Sequence, residues 1–188
     1  MHWRNVPDHE YSTQAQAYHA AAKKLARLLD VDADPSPIPD LDLCPVLSLY
    51  RHALELHLKI IVLGEGANFL PARPDVLSVS KSHSLAWLAQ FVTQIVTALH
   101  WEDEFRTEGI DDLTAFKELI AEANEIDAPY WPFRSPIDPA GPAALKTNVL
   151  RFLRRLDSLL ELLDQTADSL AAEWYLHSHP PSGDPFVH

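Results

Sequence analysis

Apolar residues recur every three or four positions along most of this chain, which is the spacing of an amphipathic helix. In the first such segment, from about residue 10 to residue 29, one stripe is formed by Ala15, Tyr18, Ala22, Leu25 and Leu29. The same spacing predicts four more helices, over about residues 43–63, 82–99, 112–123 and 142–177. No run of alternating apolar and polar residues indicates a β-strand. The pattern therefore predicts an all-α fold, an up-and-down bundle of about five helices.

Prolines lie between these periodic segments and mark their boundaries. We expect residues 1–9 to be irregular, residues 10–177 to form a single helical bundle domain, and residues 178–188 to be a flexible tail. The segment 127–136 combines three prolines with three aromatic residues, so it cannot be regular structure. Because its aromatic side chains need a surface to pack against, we expect an ordered aromatic and proline-rich loop lying across the bundle.

The helix predicted over residues 43–63 carries a stripe of charge on an otherwise apolar surface. At about 100° per residue, one side of its helical wheel holds Arg51, His52, Glu55 and Lys59. A helix that is apolar around most of its circumference is normally central to its domain, so this stripe must reach solvent, pair internally or serve a site. The i,i+4 spacing lets Arg51, Glu55 and Lys59 form one network, which is either structural or, in a partly buried cleft, a candidate site.

The charge and composition of the chain disfavour several kinds of partner and cofactor. Fifteen basic against 27 acidic residues give a net charge of −12, which opposes non-specific binding of RNA although a local basic cleft stays possible. The single cysteine, Cys44, excludes an internal disulfide and a cysteine-based zinc site. No spacing of histidines and carboxylates completes a three-ligand metal set, and no glycine-rich phosphate loop is present, so we expect no metal and no cofactor. Lacking a secretory signal or a membrane span, the chain is expected to be cytoplasmic, with no membrane partner.

Three short signatures, in this order, resemble the HEPN superfamily of small helical-bundle proteins. They are the helix segment 50–59 (YRHALELHLK), the segment 81–88 (KSHSLAWL) and the loop sequence 133–136 (FRSP), where Ser135 replaces the aromatic residue of a Phe-Arg-Tyr-Pro pattern. The resemblance covers about residues 47–163. It implies an all-α fold, frequent homodimerisation and membership of bacterial defence or toxin–antitoxin systems, with a partner encoded in the same operon. It also implies that catalytic relatives are metal-independent ribonucleases with an Arg-x(4–6)-His motif.

Arg51 and His57 match that motif with five residues between them. In an ideal helix, however, the two side chains lie about 120° apart, so they share a cleft only if the backbone deviates or a dimer partner completes the site. His57 is otherwise a buried histidine that bonds a neighbouring helix. His83, next to the proposed helix cap Ser82, is the other candidate for proton transfer, while the charge of the transition state would be stabilised by Arg51, Lys59 or Arg134.

Three functions remain open from the sequence. The first is a non-catalytic protein that acts through contacts with itself or an operon partner, with Arg51, Glu55, Lys59, His83 and Arg134 as a polar network that fixes the fold. The second is a metal-independent endoribonuclease with Arg51, His57 and His83 as catalytic residues. The third is a nucleotide or small-molecule binding module, in which Lys59 and Arg134 hold a phosphate beside Trp131. The guanidinium of Arg134 suits a carboxylate such as Glu55 and a phosphate equally well.

Overall fold

The computed structural model describes residues 8–31, 40–125 and 142–179. Within these ranges the chain forms six α-helices and a short 3₁₀ helix, and its one β-contact is the isolated bridge between Thr107 and Ile110. The helices are α1 (Asp8–Val31), α2 (Asp40–Leu63), α3 (Val76–Lys81), α4 (Leu85–Ala98), α5 (Leu113–Asn124) and α6 (Pro142–Ser178), and the 3₁₀ helix spans Glu65–Phe69. The predicted all-α bundle is therefore confirmed.

Helix α2 lies at the centre of the bundle and packs against α1, α4 and α6. Its apolar side chains are buried around most of the helix, as the sequence pattern predicts; they include Leu47, Leu54, Leu58, Ile61 and Val62. In α6, apolar residues at the predicted spacing of three and four positions are also buried, at Val149, Phe152, Leu153, Leu156, Leu159, Leu160 and Leu163. Two long amphipathic helices, α1 and α6, thus cover a core helix that has little polar surface of its own.

The connection between α2 and α4 differs from the sequence prediction. A short helix, α3, occupies part of a segment that the sequence pattern assigned to a loop, and the side chain of Asp75 caps it by accepting a hydrogen bond from the Ser78 amide. Ser84 caps α4 instead of Ser82, because its hydroxyl accepts from the Trp87 amide at 3.2 Å. Ser82 is the C-cap of α3. The turn at Ser82–Ser84 therefore separates two helices, and it holds His83.

Several expected features lie outside the described residues. They are the first seven residues, the whole aromatic and proline-rich loop over residues 127–136 with Trp131 and Arg134, and the segment from residue 180 onward. Helix α1 begins at Asp8, inside the stretch expected to be irregular. None of the described helices combines the length and the apolar character needed to cross a bilayer.

Candidate functional site

The predicted charged stripe of α2 meets the connection between α3 and α4. Glu55 is 2% exposed and Lys59 is 3% exposed, and the Lys59 Nζ lies 2.7 Å from Glu55 Oε1. The same ammonium donates a hydrogen bond to the Ser80 carbonyl at 2.9 Å. Because Ser80 belongs to α3, this ion pair fastens α3 to the central helix.

His83 and Arg51 complete the group, which we call the Glu55 cluster (Arg51, Glu55, Lys59 and His83). The Nδ1 of His83 is 3.1 Å from each carboxylate oxygen of Glu55. Arg51 donates from Nη2 to the His83 carbonyl at 3.0 Å, and its Nη1 lies 3.8 Å from Glu55 Oε2. Four of the five residues that the sequence proposed as one polar network therefore lie together, joined across the turn before α4; the fifth, Arg134, lies outside the described residues.

The electrostatics of the cluster favour an ionised Glu55. Burial alone would raise the pKa of its carboxyl group, but hydrogen bonds from Lys59 and His83 outweigh burial and hold the pKa below its usual range. The side chain of His83 is 75% exposed, so a buried carboxylate orients a ring that still reaches solvent. An imidazole oriented in this way can exchange protons, as in enzymes that pair a histidine with a carboxylate.

His57 lies apart from this cluster and faces α1 and α6. It is 2% exposed, and its Nδ1 donates to the Ala53 carbonyl of its own helix at 2.8 Å. Its Nε2 lies 3.8 Å from Asp164 Oδ1 on α6, and its ring meets the His19 ring edge-on at a centroid distance of 6.3 Å. Arg51 bonds to the turn before α4, so the structure does not bring the two residues of the HEPN-type motif into one site.

A second polar cluster joins α1, α2 and α6, and sequence reasoning missed it. His19 Nε2 lies 2.7 Å from Asp157 Oδ1, and Lys23 Nζ lies 2.9 Å from Asp157 Oδ2. Tyr50 is buried beneath this pair, and burial together with the Asp157 carboxylate raises the pKa of its phenol. His19 and Asp157 are separated by 138 positions, so no local spacing could have paired them.

The remaining expectations concern metals and the residues outside the described ranges. Among the residues that the structure describes, no three histidine, cysteine or acidic side chains form a group that could hold a metal ion. Arg134 and Trp131 belong to the segment that is not described, and their roles stay predictions. Comparison with protein-family models, with curated proteins and with solved structures gave no match.

Removing the carboxylate of Glu55 should be costly for the fold. In the Glu55→Gln variant the Lys59 ammonium stays buried without its counter-charge, and we expect the free energy of unfolding to fall by about 3–5 kcal/mol in urea denaturation. The matched control is Glu161→Gln, which removes an exposed partner of Lys23 and should cost less than about 1 kcal/mol. Equal losses in both variants would contradict a special role for the buried pair.

His57 should make the protein less stable in mild acid. Burial lowers the pKa of His57. The hydrogen bond to Ala53 and the charge of Asp164 raise this pKa, but they offset the effect of burial only in part. Below a pH of about 6.5, His57 therefore binds a proton more readily in the unfolded chain than in the folded chain. The free energy of unfolding decreases as the pH falls through this range. In His57→Asn, whose amide can still donate to Ala53, the decrease from about pH 7.5 to about pH 5.5 should be smaller than in the wild type. Urea denaturation at each pH measures this, and an unchanged slope would contradict the assignment.

Proposed function

We propose that this chain is a cytoplasmic, HEPN-like helical-bundle protein of a bacterial defence or toxin–antitoxin system, and that it acts through protein–protein contacts without catalysis. Its partners on this proposal are a second copy of the chain in a homodimer and a protein encoded in the same operon. The three signatures that resemble the HEPN superfamily support the family, and the arrangement of the side chains of the first two supports the absence of catalysis.

The observation that carries the proposal is the internal pairing of the Glu55 cluster. Lys59 is 3% exposed and is bonded to both Glu55 and Ser80, so its ammonium group makes its contacts inside the protein. Arg51 bonds the carbonyl of His83 and lies near Glu55. Groups that would have to receive a substrate phosphate are thus holding α3 and the turn before α4 against α2.

The exposed aromatic end of α6 supports a role in contacts. Trp174, Tyr175 and Leu176 are 37%, 63% and 59% exposed. Aromatic and large aliphatic side chains at a surface are typical of contact sites between proteins. Helix α6 therefore offers a partner an apolar surface that the other described elements leave exposed.

A metal-independent endoribonuclease is the second candidate, and one observation favours it. The exposed ring of His83 is oriented by the buried carboxylate of Glu55, and Arg51 is bonded to the same turn. A base of this kind next to a guanidinium could assist attack by a ribose hydroxyl and stabilise the charge that develops on the phosphate. His57 has no part in this version, because it faces α1 and α6.

The third candidate, a nucleotide or small-molecule binding module, gains no specific support. It relied on Lys59, whose ammonium is buried in an ion pair, and on Trp131 and Arg134, which lie outside the described residues. The net charge of −12 continues to disfavour RNA as a general partner.

The two leading candidates are separated by incubating the purified full-length chain with RNA in EDTA. A non-catalytic protein leaves the RNA intact, and the wild type and His83→Ala should then be indistinguishable on a denaturing gel. Cleavage by the wild type that is lost in His83→Ala, with the thermal unfolding transition of the variant preserved, would overturn the proposal in favour of the ribonuclease. Cleavage that persists in His83→Ala would point to a contaminating enzyme, and the variant serves as that control.

A further inference from the structure

A cleft of about 230 Å³ lies on the far side of α2 from the Glu55 cluster, between α1, α2, α6 and the 3₁₀ helix. We call it the His57 cleft. Its polar lining residues come from four elements and are Ser12, Gln16, His57, Glu65, Asp164 and Asp168. Neither the functions proposed from the sequence nor the Glu55 cluster uses these residues together.

The lining of the His57 cleft is strongly acidic. Glu65, Asp164 and Asp168 contribute three carboxylates, and none of the described residues that line the cleft is a lysine or an arginine. The carboxylate of Asp164 is half exposed and lies 3.8 Å from the ring of His57, beyond hydrogen-bond distance. A cleft with this charge attracts a cation and repels phosphates and other anions.

His57 adds a buried hydrogen-bond acceptor to the lining of the cleft, separate from the three carboxylates. Its Nδ1 is bonded to the Ala53 carbonyl, so that nitrogen carries the proton of the neutral ring and Nε2 presents a lone pair. Within the described part of the chain, Nε2 has no hydrogen bond, and Asp164 Oδ1 lies 3.8 Å from it. A side chain that is 2% exposed thus points an unused acceptor into the cleft. The matching ligand is a cation with N–H donors, which is an ammonium or a guanidinium group.

An aromatic surface continues from the mouth of the cleft along α6. Ala171 lines the cleft, and Trp174 and Tyr175 follow it after one turn of the helix. The ring of Phe69, in the 3₁₀ helix, meets Trp174 edge-on at 6.3 Å and the His177 ring at 5.9 Å. A ligand that fills the acidic cleft therefore has exposed apolar surface beside it, which a partner protein can cover and a free amine cannot.

We propose that the His57 cleft receives an arginine or lysine side chain from a partner protein, while an apolar residue next to it packs on Trp174 and Tyr175. This inference rests on the proposed function, because it names the chemistry of the contact. Arginine suits the site best: its planar fork can meet two carboxylates at once and also stack on an aromatic ring. The net charge of −12 further favours a basic partner.

The test uses the full-length chain and a short blocked peptide, Leu-Arg-Leu, together with its counterpart in which citrulline replaces arginine. Citrulline keeps the shape of arginine and removes its charge. Binding is followed by NMR, from the His57 ring nitrogens and the amides of Asp164, Asp168 and Trp174. We expect the arginine peptide to bind about tenfold more tightly than the citrulline peptide. Equal affinities, or no shift at His57, would overturn the proposal.

Two charge-matched variants locate the site. Asp164→Asn with Asp168→Asn removes two charges from the cleft and should abolish the preference for arginine over citrulline. Glu108→Gln with Glu118→Gln removes two charges from exposed residues that do not line the cleft, and this control should keep most of the preference. An equal loss in both double variants would mean that the peptide responds only to overall charge, which contradicts a site.

Agmatine, a free guanidinium compound, distinguishes a protein partner from a small amine. If agmatine binds as tightly as the arginine peptide, the aromatic flank contributes nothing and the assignment to a partner protein is wrong. Weaker binding of agmatine, together with a Trp174→Ala variant that weakens only the peptide, supports it. These readings do not depend on whether the chain cleaves RNA, so failure of this inference and failure of the non-catalytic proposal can be told apart.

Discussion

A buried carboxylate on the central helix, that of Glu55, holds the elements around it in place. Glu55 is almost fully enclosed, and a charge in that position is tolerated only because Lys59 and His83 bond to it. Lys59 in turn bonds Ser80, and Arg51 bonds the His83 carbonyl. The position of α3 therefore depends on the Glu55–Lys59 pair, and the turn before α4 depends on the bonds that His83 makes to Glu55 and Arg51. A hydrophobic pair of similar volume could fill the same space, but it would not select the backbone groups that this pair bonds.

Helix α2 can be central because its polar groups are divided between two sides. One side carries the Glu55 cluster, and the other carries Tyr50 and His57 toward α1 and α6. On that second side, His19 lies between the two, with ring centroids 6.3 Å from each, and bonds Asp157. This division explains why Arg51 and His57, only six positions apart, belong to different environments. It also leaves His57 at an acidic cleft beside the aromatic end of α6, where a contact with a basic partner is possible.

The sequence predicts those parts of the structure that depend on local periodicity. The apolar face of α6, and the burial of α2 on most of its sides, follow from apolar spacings of three and four residues. The ion pair between Glu55 and Lys59 follows from their i,i+4 spacing in a helix. Helix α3 was missed because six residues are too few to show a period. The bond from Lys59 to Ser80 and the pair of His19 with Asp157 could not be predicted, since they join segments 21 and 138 positions apart. The cleft at His57 likewise exists only once four elements have come together.

The central claim, that the buried pair organises this half of the bundle, is tested most directly by a double-mutant cycle on Glu55→Leu and Lys59→Met. If the claim is correct, Glu55→Leu leaves the buried Lys59 without its counter-charge, and Lys59→Met leaves the buried Glu55 with only His83 and Arg51 beside it. Each single change is then strongly destabilising, while the double variant recovers most of the loss. The coupling free energy should then be about 2 kcal/mol or more in urea denaturation. If the two single effects simply add, the side chains act independently, and the account of the fold given above is wrong.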